Sequence, residues 1–331
     1  MQELVKQTIE KFNLLKANDR VIVALSGGPD SVALLYVLAR LKKDWRLHLH
    51  IAHLNHLLRK NEAEEDSKFV LSLAKKLDYP ISCESINVKD FAKRKKLSIE
   101  EAARKLRYDF LVKTAKENGA NKIALGHNWN DQAETVLMRF LRGSGISGLR
   151  GMPAKRELSG CLIIRPLIEI KREQIMNFLK AKKISYRIDS SNLENSFLRN
   201  KTRNSLIPLL EKEFNPNIKQ RLVSFAENVS CDSDFLQSEG IRRFKAVRIG
   251  ASQTEIALNA GKLSSLHEAL QKLVCRMAIK QLKGDLRRID YRHWKELDEL
   301  VKQRPTNSVV DLPGGVSAIK KRERVVFYNR G

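Results

Sequence analysis

Ser26-Gly27-Gly28-Pro29-Asp30-Ser31 is the stretch of this sequence best suited to chemistry. Gly27 and Gly28 let a backbone approach phosphate closely, Ser26 and Ser31 add hydroxyl donors, and Pro29 suits a helix's first turn. A helix opening at Asp30-Ser31 aims its free N–H groups at an anion. No Gly-Lys-Ser or Gly-Lys-Thr follows, so this is not a Walker A loop, and the GxGxxG dinucleotide fingerprint is absent. The chemistry is the gripping of nucleotide phosphates, with Asp30 either holding Mg2+ or fixing the loop. Asp131 and Glu134 stand three apart at a helix start and share a face, where they could hold Mg2+ or receive an ammonium. Acidic residues also settle at helix N-termini through the dipole alone. Arg104 and Arg107 share another helix face and could offset charge on a departing pyrophosphate, or be surface arginines. His53 and His127 each end a predicted strand, His53 by adenine or ribose, though capping or surface roles stay open for both.

Strands and helices must alternate to position these groups. Residues 20–27, 46–53, 81–88 and 122–127 read as strands, and helices are expected at 31–42, 62–77, 90–118 and 131–141. The 90–118 stretch should break near Leu97-Ser98, where Ser98 and Glu101 form a capping box. This alternation predicts an α/β fold with a Rossmann-like parallel sheet covered on both faces. Residues 143–151 read as a glycine-rich loop, and a fifth strand over 162–170 should lie near an edge because it contains Pro166. Helices over 171–183 and 198–213 lead to a hinge at Phe214-Asn-Pro-Asn217. That places a first domain at 1–216 and a smaller, mainly helical one at 217–331, ending in three short strands near 308–312, 316–320 and 323–328. The helix over 266–282 presents an apolar face suited to a core and nothing catalytic.

Composition narrows the partners. The formal net charge is +24 over 331 residues, with basic excess on both sides of Pro216. A lysine-rich proteome would give some of this, but a long polyanion such as RNA explains a spread-out excess better than a small metabolite does. Lys93 to Lys96 reads as a solvated basic face, and of three tryptophans only Trp129 stands within a motif. The four cysteines are far apart, which excludes a CxxC knuckle and gives no disulfide framework. The N-terminal segment is charged and amphipathic, and no apolar run is long enough to span a bilayer. A cytoplasmic protein, away from membranes, is expected.

The SGGPDS loop resembles that of the PP-loop N-type ATP pyrophosphatases. Further motifs narrow the resemblance: residues 53–59 (HLNHLLR), 100–108 (EEAARKLRY), 126–128 (GHN), 131–135 (DQAET), 142–145 (RGSG), 165–167 (RPL), 189–192 (DSSN) and 199–203 (RNKTR). In this order they resemble the tRNA(Ile)-lysidine synthase family, strongly over about 15–216 and more weakly beyond. Thr202 departs from the isoleucine more usual there. The resemblance implies a ligase. ATP adenylates C2–O of cytidine 34 in the CAU anticodon of tRNA(Ile), and free lysine displaces AMP to give lysidine, changing codon and amino-acid specificity. It assigns catalysis to Asp30, Arg107, Asp131 and Glu134, and Mg2+ to Asp30 and Asp131. ATP falls to Ser26, Gly27, Gly28, Pro29, Asp30, Ser31, His53, Gly126 and His127, and tRNA contact to Arg199 and Arg203. A homodimer stays open. Two other readings are a PP-loop tRNA thiolase, which would need a sulfur donor and usually cysteine pairs absent here, and an RNA-binding protein with a degenerate nucleotide site.

Overall fold

The computed structural model describes residues 1–57, 60–188 and 198–330, with side chains in the second span from residue 64. The 189–192 motif and Leu58-Arg59 lie outside the described residues. Contacts divide the chain into two compact units, Met1–Val229 and Ser230–Gly331. The expected boundary at Pro216 is a turn between two helices, where Asn215 N–H donates to Leu210 O at 2.8 Å. The contact division falls later, inside the helix Ile218–Val247.

In the first unit, α1 (Gln2–Lys11) precedes β1 (Arg20–Ala24) and α2 (Pro29–Trp45). There follow β2 (His48–Asn55), α3 (Lys60–Leu77), β3 (Ile81–Ser85), α4 (Val88–Lys95) and α5 (Ile99–Glu117). Next come β4 (Lys122–Ala124), α6 (Trp129–Leu141), the one-turn α7 (Ile146–Leu149), β5 (Lys155–Leu158), β6 (Cys161–Ile164) and α8 (Arg172–Ala181). Beyond the undescribed residues, α9 (Leu198–Lys201), a π-helical turn (Thr202–Leu206) and α10 (Ile207–Glu213) run on to α11 (Ile218–Val247).

The sheet order is β3-β2-β1-β4-β6-β5, parallel except for β5. Alternation along β1 decides its two faces. Val21 and Val23 join the core beneath α1, α2 and α8, whereas Ile22 joins the core against α5 with Phe110, Leu111 and Ile123. In α2, Leu34, Leu35 and Leu38 are wholly buried, each contributing about 1.5–3 kcal/mol and fixing the helix N-terminus over the sheet edge. The break between α4 and α5 is made by Lys96 at φ 52°, and the Ser98–Glu101 capping box starts α5 as expected.

The fifth expected strand does lie near an edge, one strand in, but its extent is corrected: β6 ends at Ile164, and Pro166 lies beyond it in a turn and so does not set its position. The edge belongs to β5, an antiparallel strand whose sequence Lys155-Arg-Glu-Leu158 gives almost no apolar signal. Chain order reverses between β1 and β4, and in such sheets ligands settle at the carboxyl ends of the strands flanking that switch. The Ser26 loop leaves β1 there, and Gly126-His127 leaves β4 beside it.

In the second unit, β7 (Arg248–Ala251) and β8 (Glu255–Asn259) precede α12 (Ala260–Ser264), α13 (Glu268–Lys283) and α14 (Tyr291–Lys302). β9 (Val309–Leu312), β10 (Val316–Lys320) and β11 (Arg324–Asn329) complete an antiparallel sheet in the order β7-β8-β11-β10-β9. The sheet therefore has two strands more than the three expected. The expected core face of α13 is present: Val274, Cys275, Ala278 and Ile279 pack with Ile256, Leu258 and Phe327. No helix among the described residues is long and apolar enough to cross a membrane.

Candidate active site

A cavity of about 540 Å3 opens at the β1/β4 switch and is lined by the Ser26–Ser31 loop, Gly126, His127, Arg107, Asp131, Arg199 and Arg203, among others. Gly27 adopts φ +88°, a conformation other residues rarely take, and its carbonyl accepts from Arg187 N–H at 2.9 Å. Arg187 is in turn tied to Glu65 and Asp66 on α3 at 2.6 and 3.0 Å. Gly28 caps α2 and Pro29 occupies its first turn. Ser31 is an internal brace: its hydroxyl donates to Gly28 O at 2.9 Å and accepts from Ser26 N–H at 3.2 Å. Ser26 Oγ lies 3.1 Å from Ser31 Oγ, within the same brace. Gly126 is required by close approach, because a Cβ there would sit 3.0 Å from Asp30 C and Ser31 N.

Asn128 joins the two halves of the site. It caps α6 reciprocally with Asp131 and donates from Nδ2 to Asp30 Oδ1 at 2.9 Å. Arg172 Nη1 donates to Asp30 Oδ2 at 2.8 Å. Burial raises the Asp30 carboxyl above the usual carboxylate range against the opposing pull of Arg172, and neighbouring Asp131 adds to the rise.

Asp131 and Glu134 face the same way, as their spacing requires, and both are buried. Arg199 reaches Asp131 Oδ1 at 2.8 Å and Glu134 Oε2 at 3.1 Å. Arg203 reaches Glu134 Oε1 at 2.6 Å and Asp131 Oδ1 at 2.9 Å. The pair assigned to tRNA contact is thus committed to the carboxylates assigned to catalysis, in a quartet of two positive and two negative groups. Burial would raise the Asp131 carboxyl, but Arg199 and Arg203 hold it below its ordinary value.

The histidines divide differently from expectation. His53 does not line the cavity. It is buried, with Nδ1 2.8 Å from Leu25 O and Nε2 3.2 Å from Ser67 Oγ, and so ties β2 to the end of β1 and to α3. His56 lines the cavity in its place, and its Nδ1 is buried with no hydrogen-bond partner among the described residues. His127 does line the cavity, and burial holds it neutral, well below its usual pKa. Arg165 Nε donates to His127 Nδ1 at 3.2 Å, which leaves the His127 proton on Nε2 as a donor. Arg107 lines the cavity, and its Nε has no hydrogen-bond partner among the described residues.

Asn128, Arg172, Arg165 and His56 were not singled out as site residues from sequence. Asn128 was readable, because an N-cap residue with an acid three positions on is a capping box. Arg172 carried no local signal, since its partner is Asp30, far away in the chain.

A phosphate-gripping loop and a charged cavity at the switch of a parallel sheet define a nucleotide-using enzyme of the PP-loop class. A PP-loop domain family model matches residues 1–210, and a TilS substrate binding domain model matches 258–327. The chain is 38% identical over 325 residues to a tRNA(Ile)-lysidine synthase of Clostridioides difficile, covering 98% of this chain and 70% of that protein. It is 37% identical to a protein of the same name from Caldanaerobacter subterraneus subsp. tengcongensis, covering 100% and 69%. This chain belongs to the tRNA(Ile)-lysidine synthase family. Among solved structures, a U34-tRNA thiolase, NcsA, from Methanococcus maripaludis shares the fold, with TM-score 0.56 and 20% identity over 69% of this chain and 78% of that one.

Proposed function

We infer that this chain ligates lysine to C2 of cytidine 34 in the CAU anticodon of tRNA(Ile), consuming ATP and releasing AMP and pyrophosphate. Family membership supports the reaction. The observation that carries it in the structure is a phosphate loop lining one cavity with Asp131, Arg199 and Arg203, three members of a balanced Arg–carboxylate quartet whose fourth, Glu134, is buried behind them. The α2 N-terminus and the loop amides grip the triphosphate, with Ser31 keeping the loop in shape. Cytidine O2 attacks the α-phosphorus and pyrophosphate departs. Arg107 and the His127 Nε2–H offer positive charge and a hydrogen bond as negative charge develops. An uncharged amine of lysine then attacks C2, AMP leaves, and the amine's proton passes to a nearby base.

Lysine carries a carboxylate and two ammonium groups, so its pocket needs both signs of charge. Asp131 and Glu134 receive ammonium groups, and Arg199 and Arg203 receive the carboxylate, each exchanging a partner it already holds. We assign Arg199 and Arg203 to lysine on this ground, before any contact with tRNA.

Asp30 suits Mg2+, since its carboxylate is partly exposed in the cavity and beside the phosphate loop. Asp30 and Asp131 each already accept a hydrogen bond at both oxygens, but Asp131 suits the ion less because it is more deeply buried and one of its oxygens is shared by two arginines. Among the described residues no three His, Cys, Asp or Glu side chains converge to hold a metal. Mg2+ would therefore rest mainly on ATP phosphates, where it neutralises charge on the leaving pyrophosphate. The test is mass spectrometry of anticodon nucleosides after incubation with tRNA(Ile), ATP and labelled lysine. Lysine at one cytidine is expected. ATP cleavage with no labelled tRNA, or sulfur in its place, overturns the reading.

A further inference from the structure

We propose that a cluster of arginines around Tyr108, beside the cavity, binds the phosphodiester backbone of the substrate RNA next to the cytidine being modified. The inference rests on the synthase reading for its RNA and goes beyond it in naming the site. The guanidinium carbons of Arg104, Arg107 and Arg156 lie 5.0, 5.5 and 5.4 Å from the centre of the Tyr108 ring. They come from α5 and the edge strand β5, so they are gathered by the fold and not by sequence. Among the described residues none of the three forms an ion pair with a carboxylate.

Arg165 makes the case stronger. It is 2% exposed, yet among the described residues its partners carry no carboxylate: His127 Nδ1, the Pro153 carbonyl at 2.7 Å and the neighbouring Tyr108 phenol. A buried cation without a counter-ion is costly, and the cost falls when an anion binds. Tyr108 Oη is also buried, with the Arg107 and Arg165 guanidinium groups beside it and, among the described residues, no acceptor for its proton. Burial alone would raise this phenol, but Arg104, Arg107, Arg165 and Arg156 together hold it below its ordinary value, as in a strongly positive field.

ATP phosphates already have the Ser26–Ser31 loop. Arg104 and Arg156 are exposed and do not line the cavity, but they share the Tyr108 ring with Arg107, which does, and so form a rim beside it. Arg107 lines the cavity and joins this rim to it. A polymer that feeds one base into the cavity must lay its flanking phosphates on such a rim. Arg139 at the end of α6 feels the charge of Arg104 and Arg156, and next to it in the chain Phe140 is exposed, apolar surface that an unstacked base can cover.

The test uses the full chain with Arg104→Gln and Arg156→Gln together. Binding to a tRNA(Ile) transcript is measured across salt concentrations, alongside KM for ATP and inhibition by pyrophosphate. Affinity should fall by about tenfold or more, and the slope of log K against log salt should shrink by about 1.4, for two lost single-strand phosphate contacts at about 0.7 each. ATP and pyrophosphate constants should hold within about twofold. Arg104→Lys with Arg156→Lys should restore most of the slope, which a purely structural role would not. Unchanged tRNA affinity and slope overturn the proposal, as does weakened pyrophosphate inhibition with tRNA binding intact. Lysidine formation by the unaltered chain is scored separately, so failure here and failure of the synthase reading give different results.

Discussion

Arg199 and Arg203 differ from Arg104 and Arg156 in what they face, although all four lie in the first unit. The former pair is shared between two buried carboxylates at 2.6–3.1 Å. The latter pair stacks around one tyrosine with no carboxylate among the described residues. A balanced quartet holds its own shape and trades partners with a ligand of both signs. An unbalanced cluster waits for an anion from outside. On the proposed roles, the same residue type would read a zwitterion in one place and a polyanion in the other, with partner chemistry deciding which.

The sharpest way to break this contrast is to unbalance the quartet. Glu134→Gln leaves Arg199 and Arg203 under-compensated, and breaking a buried pair typically costs about 3–5 kcal/mol. We predict that loss in urea unfolding, together with at least a hundredfold fall in kcat/KM for lysine and a much smaller change in ATP binding. A variant as stable as the wild type would show that the quartet is not a closed electrostatic unit.

The histidines beside the unbalanced cluster give a pH test. His56 is lowered to about 4, first by burial and then by Arg107 and His53. Its folded pKa lies below its unfolded value of about 6.5, so below that pH the unfolded chain binds the proton first. Stability is therefore complete near pH 7 and drains away as pH falls from about 6.5 to about 4, by about 3 kcal/mol from this residue. His56→Gln should remove that part of the acid limb in unfolding curves at pH 7 and 4.5. A limb of unchanged depth would sink the assignment.

Gly126→Ala probes the frame that holds both clusters against the loop. The added methyl meets the Asp30–Ser31 backbone at 3.0 Å, and backbone cannot swing aside as a side chain can. A loss of about 1–3 kcal/mol with a raised KM for ATP is expected. Unchanged ATP affinity would mean the loop tolerates the shift.

What was legible in the sequence follows the range of the interaction. The phosphate loop, the α5 capping box and the pairing of Asp131 with Glu134 on one face are local, and all are present. His53 was misplaced because β2 runs on to Asn55, so the residue taken as the strand's end lies inside it, facing α3. Strands β5, β7 and β8 escaped notice: β5 and β7 are short and largely exposed, and the buried Ile256-Ala-Leu258 run of β8 is too short for periodicity to tell strand from helix. The ion pairs of Arg199 and Arg172 link residues 68 and 142 positions from their acids, beyond any pattern of spacing.

The smallest expected effect bears most directly on the unbalanced cluster. Among the described residues Arg104 and Arg156 meet like charge and no carboxylate, so removing one should relieve repulsion without breaking an ion pair. Arg104→Gln or Arg156→Gln is therefore predicted to leave stability within about 0.5 kcal/mol of the wild type or slightly above it, unlike Glu134→Gln. The same reasoning predicts a linkage effect. An anion that binds the folded cluster stabilises the fold in proportion to its occupancy, whereas general screening depends only on ionic strength. Inorganic phosphate should therefore raise the melting temperature of the wild type more than chloride at equal ionic strength. Phosphate also strengthens burial in any protein by exclusion from its surface, so the deciding quantity is the difference between wild type and the Arg104→Gln/Arg156→Gln double variant. A smaller phosphate increment in the double variant supports an anion held by these two side chains. Equal increments would show that the cluster holds no anion in the free enzyme.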